Sequence, residues 1–441
     1  MYLIYSMLFT AGLVLTAPFY WWRKGRGHKR GHWGERFGNI PFREDRPGAI
    51  WVHAVSLGET LAVAGLVKEL QRAHPERRIY LSHVTPAGRA AGEARLPSIA
   101  GRFYLPLDWR WTVRKALARL RPSLLVIVET ELWPNLIRAA REAGARVVIV
   151  NARLSQRSFR RYRLIGPFIR RVLGNVDQIN AQTQADAERF LQLGAPRERV
   201  RMVGNLKFDA QPPQLGDFAR ALKATLRQAR RGPVLVAAST MPGEEPLVLE
   251  AWDMIRVRYP QALLILAPRH PARFEAVSQE LARAQRGFVR RTALPAEAKE
   301  LGRQLASTAI LMLDTIGELA GVFEVADMVF MGGSLVPTGG HNILEPAYWS
   351  KVIAFGPHME NFRDIARQFL DAGAAIQIRT PEELAHATWL LENKEAREDL
   401  GAKAREVLEQ NSGATARTLD GLKTYLERGT QGSELPMRED R

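Results

Sequence analysis

"AIWVHAVSLGETLAVAGLVKELQRAHP", residues 49–75, changes its periodicity halfway along. Residues 49–55 form a short apolar run, which predicts a buried strand. From residue 60 the apolar positions of "TLAVAGLVKEL" recur at helical spacing, so a helix follows at once. Gly58 is expected to let the backbone bend between them, leaving Glu59 at the mouth of the helix. A carboxylate in that place has two readings. It is a base aimed at a bound hydroxyl, or a helix N-terminal residue that complements the helix dipole.

The same unit recurs along the chain. Apolar runs at 49–55, 78–85, 124–130, 145–154, 178–183 and 200–205 alternate with helical stretches. After the Pro-rich segment "DAQPPQLGD" (209–217), further runs follow at 233–240, 262–268, 310–315, 328–334 and 351–357. This spacing predicts an α/β protein with two Rossmann-like halves, each a parallel sheet wound by helices. Ligands in such halves sit outside the carboxyl ends of the strands, and the unusual residues fall there. "ETELWPN" (129–135), "NARLS" (151–155) and "GNLKFD" (204–209) each close a run of the first half. In the second half the strand-closing stretches are "AAST" (237–240), "APRHP" (267–271) and "GGSLVPTGGHNILEPAYW" (332–349). Glycines 332, 333, 339 and 340 are expected to bring main-chain N–H groups against phosphate oxygens, helped by a helix opening near "HNILEPA". Arg269 is a candidate for bidentate charge. The glycine spacing is neither G-x-G-x-x-G nor a P-loop, which turns the reading away from dinucleotides and ATP.

Composition bounds the partner. The 441 residues include no cysteine and carry a formal charge of +17, so disulfides and thiolate chemistry are excluded and a polyanionic partner is expected. Residues 1–22, "MYLIYSMLFTAGLVLTAPFYWW", are uncharged and are followed by the basic stretch "RKGRGHKRGHWGER". Basic residues after the apolar run argue for an uncleaved membrane anchor with a cytoplasmic body, and the competing reading is an amphipathic helix lying in the membrane surface. His53, His83, His270 and His341 lack metal-ligand spacing, and no metal site is expected. "RSFRRYRLIGPFIRR" (157–171) reads either as a solvated helix or as a contact for lipid headgroups or acceptor phosphates. A nucleic-acid partner is suggested by charge alone and has no reading motif behind it.

"HAVSLGE", "ETELWPN", "NARLS", "GNLKFD", "APRHP" and "GGSLVPTGGHNILEP" resemble, in order and spacing, the 3-deoxy-D-manno-octulosonic acid (Kdo) transferases of lipopolysaccharide synthesis, from the N-terminus to about residue 425. The resemblance implies a GT-B glycosyltransferase with two Rossmann-like domains facing a cleft. It implies that Kdo moves with inversion from CMP-Kdo to a lipid A precursor, lipid IVA, at the cytoplasmic face of a Gram-negative inner membrane rich in anionic lipids. It assigns Glu59 as general base, and Glu129 and Lys207 as transition-state stabilisers. It assigns CMP to Pro268 and Arg269, to Ile316, Gly317 and Glu318, and to Asn342, Ile343, Leu344 and Glu345, with no cofactor. The expected organisation is an anchor over 1–22, an acceptor domain over 23–210, a CMP-sugar donor domain over 211–425 and a disordered tail over 426–441. Another GT-B enzyme, a UDP-sugar transferase or epimerase, is the competing reading.

Overall fold

The computed structural model describes residues 1–24, 32–209, 215–294, 298–306 and 308–427, without the side chains of 17–24, 298–300 and 306. The chain divides into two compact units, Met1–Ala210 with Asn411–Arg441, and Gln211–Gln410.

The first unit is built on strands β1 (Ala49–His53), β2 (Ile79–His83), β3 (Gly101–Tyr104), β4 (Pro122–Val128), β5 (Arg146–Ala152), β6 (Gln178–Ala181) and β7 (Val200–Met202). They pair in the order β3-β2-β1-β4-β5-β6-β7, every pair parallel. Alternation sends successive side chains to opposite faces. Trp51, Leu125, Ile127, Val147 and Ile149 join one buried cluster, while Ile50, Val52, Leu124, Val126 and Val148 join another on the opposite face. Val63, Leu66, Val67 and Leu70 of the helix Leu57–Ala73 complete the second cluster. Both faces are covered, so the central strands carry no polar alternation.

The second unit holds β8 (Val234–Thr240), β9 (Leu263–Pro268), β10 (Phe288–Arg290), β11 (Ile310–Met312), β12 (Met328–Met331), β13 (Val352–Phe355) and β14 (Ile376–Gln377), in the order β10-β11-β9-β8-β12-β13-β14. The runs read from the sequence include neither β3, β10 nor β14. All three are edge strands of two to four residues. An edge strand pairs on one side only and needs no continuous apolar run, so its signal is weak.

Three further expectations change. Gly58 makes no bend: it lies inside the helix Leu57–Ala73, and the turn is made by Ser56 in an extended conformation (φ −117°, ψ 172°). The donor-domain boundary at 425 is wrong, because the helix Ala414–Glu427 belongs to the first unit. Its Ala414, Leu422 and Leu426 enter the cluster of Leu66 and Leu70, and Arg77 Nη2 donates to Leu426 O at 2.6 Å. Gly413, at φ +91°, separates it from the preceding helix. Leu426 is thus core rather than the start of a tail, and residues 428–441 of the expected tail lie outside the described residues.

The segment expected to be the anchor lies on the N-terminal helix Tyr2–Lys24. Among the described residues no helix is long and apolar enough to cross a membrane. Its first turns are docked on the first unit by polar groups. Asn175 Nδ2 donates to Tyr2 Oη at 3.2 Å, Asn135 Nδ2 to Ser6 Oγ at 3.0 Å and Trp109 Nε1 to Thr10 Oγ1 at 2.8 Å. Phe168 packs edge-on to Tyr2, and Trp109 edge-on to Phe9. The opposite stripe, Leu3, Ile4, Met7, Leu8, Val14 and Leu15, is exposed. The side chains of 17–22 and the following residues to 31 lie outside the described residues.

Candidate active site

Strand order reverses between β1 and β4 in the first unit and between β8 and β12 in the second. Open parallel sheets place ligands at such switch points, outside the carboxyl ends of the strands.

In the first unit, Glu59 follows β1, and Glu129 and Glu131 follow β4. Ser56 caps the helix: its Oγ accepts from Glu59 N at 3.4 Å and donates to Glu59 Oε1 at 2.8 Å, while Val55 N donates to Oε2 at 2.7 Å. The helix-capping reading of Glu59 is therefore real, and the same bonds hold its carboxylate in one orientation. Glu59 is buried, and burial pushes its pKa up to about 7, the bonds from Val55 and Ser56 opposing this and the charge of Glu129 adding to it. Glu131, which the sequence reading passed over, is likewise pushed up to about 7 by burial and then by the charge of Glu59. The two carboxyls lie in the field of a third, Glu129, and Glu59 and Glu131 titrate near neutrality, the range in which a carboxylate accepts a proton from a hydroxyl.

Backbone conformation is unusual around this group. Glu129 (φ 59°) and Asn151 (φ 54°) occupy the left-handed region although neither is glycine. Such residues persist where surrounding bonds over-determine them. Glu129 N donates to Val150 O at 2.9 Å. Asn151, fully buried on β5, accepts Leu206 N on Oδ1 at 2.9 Å and Gln182 Nε2 on its carbonyl at 2.9 Å. It thereby fixes the 206–209 turn that carries Lys207, whose N–H donates to Asn205 Oδ1 at 3.0 Å. His53 is fully buried with Nδ1 at 2.9 Å from Ser82 Oγ, and burial drops its pKa to about 3, so it is a neutral strand-end residue. Trp133 packs edge-on against His53 with ring centroids 6.3 Å apart.

In the second unit Pro268 ends β9 and Arg269 follows it exposed, its N–H donating to Thr240 O at 3.0 Å. Burial, with the charges of Arg269 and His270, lowers His341 to a pKa of about 4, so the ring is neutral beside a cation. Glu318 is engaged by Arg291, with Nη2 at 3.0 Å and Nε at 3.2 Å, and by the Thr315 hydroxyl. Next to it, Gly317 (φ 94°) leaves Ile316 exposed. Asn342 Nδ2 donates to Glu345 Oε1 at 3.2 Å, and Asn342 Oδ1 accepts Leu344 N at 3.2 Å. Ile343 and Leu344 are core residues and can offer a ligand only their backbone.

The expected phosphate cradle is occupied from within the unit. Gly333 N donates to Glu244 Oε2 at 2.6 Å, and Ser334 N and Leu335 N donate to Glu244 Oε1 at 2.9 Å each. Gly340 N is turned back to Gly333 O at 2.7 Å. The helix near "HNILEPA" runs only from Leu344 to Tyr348, too short for a substantial dipole. Sequence reasoning missed Glu244 because nothing in "PGEE" distinguishes a ligand of the backbone from an ordinary first-turn glutamate.

A family model described as 3-deoxy-D-manno-octulosonic-acid transferase (kdotransferase) matches residues 31–210. The chain is 36% identical over 385 residues to the 3-deoxy-D-manno-octulosonic acid transferase of Haemophilus influenzae, covering 87% of this chain and 88% of that protein. It is 36% identical over 440 residues to the transferase of the same name from Bordetella pertussis, covering 95% and 99%. Among solved structures, a UDP-GlcNAc 2-epimerase from Neisseria meningitidis bound to UDP-GlcNAc aligns with a TM-score of 0.53 at 13% identity, over 85% of this chain and all of that one, and shows a common GT-B-like fold alone. Six sequence motifs, two doubly wound sheets and these relatives agree: the chain belongs to the Kdo transferase family of glycosyltransferases.

Proposed function

We propose that this protein moves Kdo from CMP-Kdo to a hydroxyl of a lipid A precursor, lipid IVA, with inversion, and that Glu59 is the general base. The observation that carries this is a buried carboxylate held by Val55 and Ser56 at a switch point, with a pKa near 7. In the step, the acceptor oxygen bonds to the anomeric carbon, the bond from that carbon to the CMP phosphate oxygen breaks, and the acceptor proton passes to Glu59. Glu129 stabilises positive charge developing on the sugar, and the Lys207 ammonium meets the phosphate or the sugar carboxylate. Arg269 binds the CMP phosphate, the loop of Ile316, Gly317 and Glu318 and the backbone of Ile343 and Leu344 bound the nucleotide, and Glu345, steadied by Asn342, holds ribose hydroxyls. Incubating purified protein with CMP-Kdo and lipid IVA and weighing the product by mass spectrometry tests the reading. A product heavier by Kdo is expected. Binding of UDP in preference to CMP, with no product, points to the UDP-sugar reading instead.

The same reading sets a pH profile. Glu59 must be ionised to take a proton, so kcat/KM rises with pH through about 7. Glu129→Gln removes a charge that raises Glu59, so it shifts the rising limb to lower pH whatever it does to the maximum rate. Stability runs the other way. Between the ordinary value of 4.5 and about 7, the folded chain holds a proton on Glu59 that the unfolded chain has released, so this group's contribution falls as pH rises through that interval. A limb unmoved in Glu129→Gln removes Glu59 from the ionisation that controls the rate.

For the membrane we propose peripheral attachment at the cytoplasmic face of the inner membrane, with the N-terminal helix lying in the interface. Its exposed stripe of Leu3, Ile4, Met7, Leu8, Val14 and Leu15 supports this, as do the exposed Leu164 and Ile165. Arg157, Arg160, Arg161 and Arg163 of the helix Gln156–Leu164 are exposed beside those two residues and suit anionic headgroups. Ile4→Glu with Leu8→Glu leaves the docked face untouched. The pair is expected to abolish flotation with phosphatidylglycerol vesicles at high salt while the melting temperature stays near wild type. Undiminished flotation sinks the interfacial placement.

A further inference from the structure

Glu244 opens the helix Glu244–Arg258 directly after β8 and is completely buried. Its carboxylate reaches from the β8 side of the switch point to the β12 side. There it accepts Gly333 N, Ser334 N and Leu335 N at 2.6, 2.9 and 2.9 Å, and on its own side Met241 N at 2.9 Å. Consecutive amides converging on one point make an anion nest, and Gly333 at φ +70° supplies the left-handed residue that curves it. The strand ends are close enough for this reach because Gly332 lacks a side chain: a Cβ there would lie 2.6 Å from Ser239 O. Ser239 itself is held at φ 55°. The fold thus builds an anion site where ligands are expected in a doubly wound sheet and fills it with its own carboxylate.

We propose that Glu244 is an internal anion that positions the turn 332–340 for the donor nucleotide and restricts the donor to a single phosphate group. This rests on the reading of the second unit as the CMP-sugar site. Three of the turn's N–H groups are committed to Glu244, so none of them remains for a nucleotide. One phosphate has Arg269 to meet it. A second phosphate directed at the nest finds its donors spent and a negative charge in its place. With the carboxylate removed, the three N–H groups become an open anion site and the discrimination against a diphosphate is lost.

The test is calorimetric titration of the full-length protein with CMP and with CDP, for wild type, Glu244→Ala and Glu244→Asp. Wild type is expected to prefer CMP. In Glu244→Ala the ratio of CMP to CDP affinity should fall by about tenfold or more, the scale of one charge-assisted hydrogen bond. Acetate added to that variant should refill the nest and recover CMP affinity. Glu244→Asp keeps the charge on a shorter arm and is expected to bind CMP more weakly while retaining the preference. Should the alanine variant fail to fold, the aspartate variant decides by its ratio: a preference lost with the charge retained overturns the proposal. An unchanged ratio in a folded Glu244→Ala overturns it too, leaving Glu244 a stabilising residue only. Wild-type protein that binds neither nucleotide overturns the reading of the unit as a donor site instead.

Discussion

Glu59→Gln lowers Kdo transfer by about 10²–10⁴-fold, the range for loss of a general base, while CMP affinity stays at the wild-type value. The substitution is conservative where it needs to be. Glutamine retains one carbonyl oxygen for Val55 N or the Ser56 hydroxyl and changes the side-chain volume little, so the cap of the helix Leu57–Ala73 is weakened rather than removed. Because glutamine lacks the basic oxygen, the effect falls on turnover. The capping role predicts the reverse, a stability change of about 1 kcal/mol with turnover preserved. Measuring kcat and the melting temperature on the same preparation separates the two, and near-wild-type turnover removes Glu59 from the proton transfer. Glu131→Gln provides the companion measurement. It takes away a neighbouring carboxyl without touching the cap, so its effect is confined to the acidic group.

Asn151→Ala is expected to reduce transfer by about 10–100-fold through Lys207, the scale on which a displaced catalytic group is felt. Alanine has no acceptor for Leu206 N, and leaving that amide buried and unpaired costs about 1–3 kcal/mol. It is also a poor occupant of φ 54°, which adds about 1 kcal/mol. The turn 206–209 then loses its fixed attachment to β5. Asn151→Asp keeps the acceptor and tolerates the backbone, so it should recover most of the rate. Asn151→Gly relieves the backbone without restoring the bond and should not. If both recover equally, the loss lies in backbone strain, and Asn151 has no part in placing Lys207.

Much of this molecule was legible before the structure. The central strands are largely buried runs rich in Val, Ile and Leu with helical segments between them, because burial on both faces favours a nearly continuous apolar composition. Local rules also placed Glu59 at a strand-to-helix turn; the structure has it in the first turn of the helix Leu57–Ala73, just after a turn that belongs to Ser56 and not to Gly58. The misses have physical causes. Edge strands such as β3 and β10 have one partner and little apolar demand. The helix Ala414–Glu427 follows another helix after a short break, and only its burial against Leu66 and Leu70 reveals which unit owns it.

The sequence by itself determined the α/β class, the strand-end positions of Glu59, Glu129, Lys207 and Arg269, and, through its motifs, the Kdo transferase family. Those are properties of local periodicity and residue order, which do not depend on what lies across the sheet. Only the tertiary structure decided which groups are spent and which are poised. It showed the glycine turn at 332–340 answering to Glu244, 89 residues earlier than Gly333 in the chain. It showed Glu59 and Glu131 raised toward neutrality by burial and by a shared field, and the hydroxyls of the N-terminal helix bonded to the first unit. Hydrogen-bond saturation and desolvation are set by neighbours distant in sequence, and no reading of a single segment contains them.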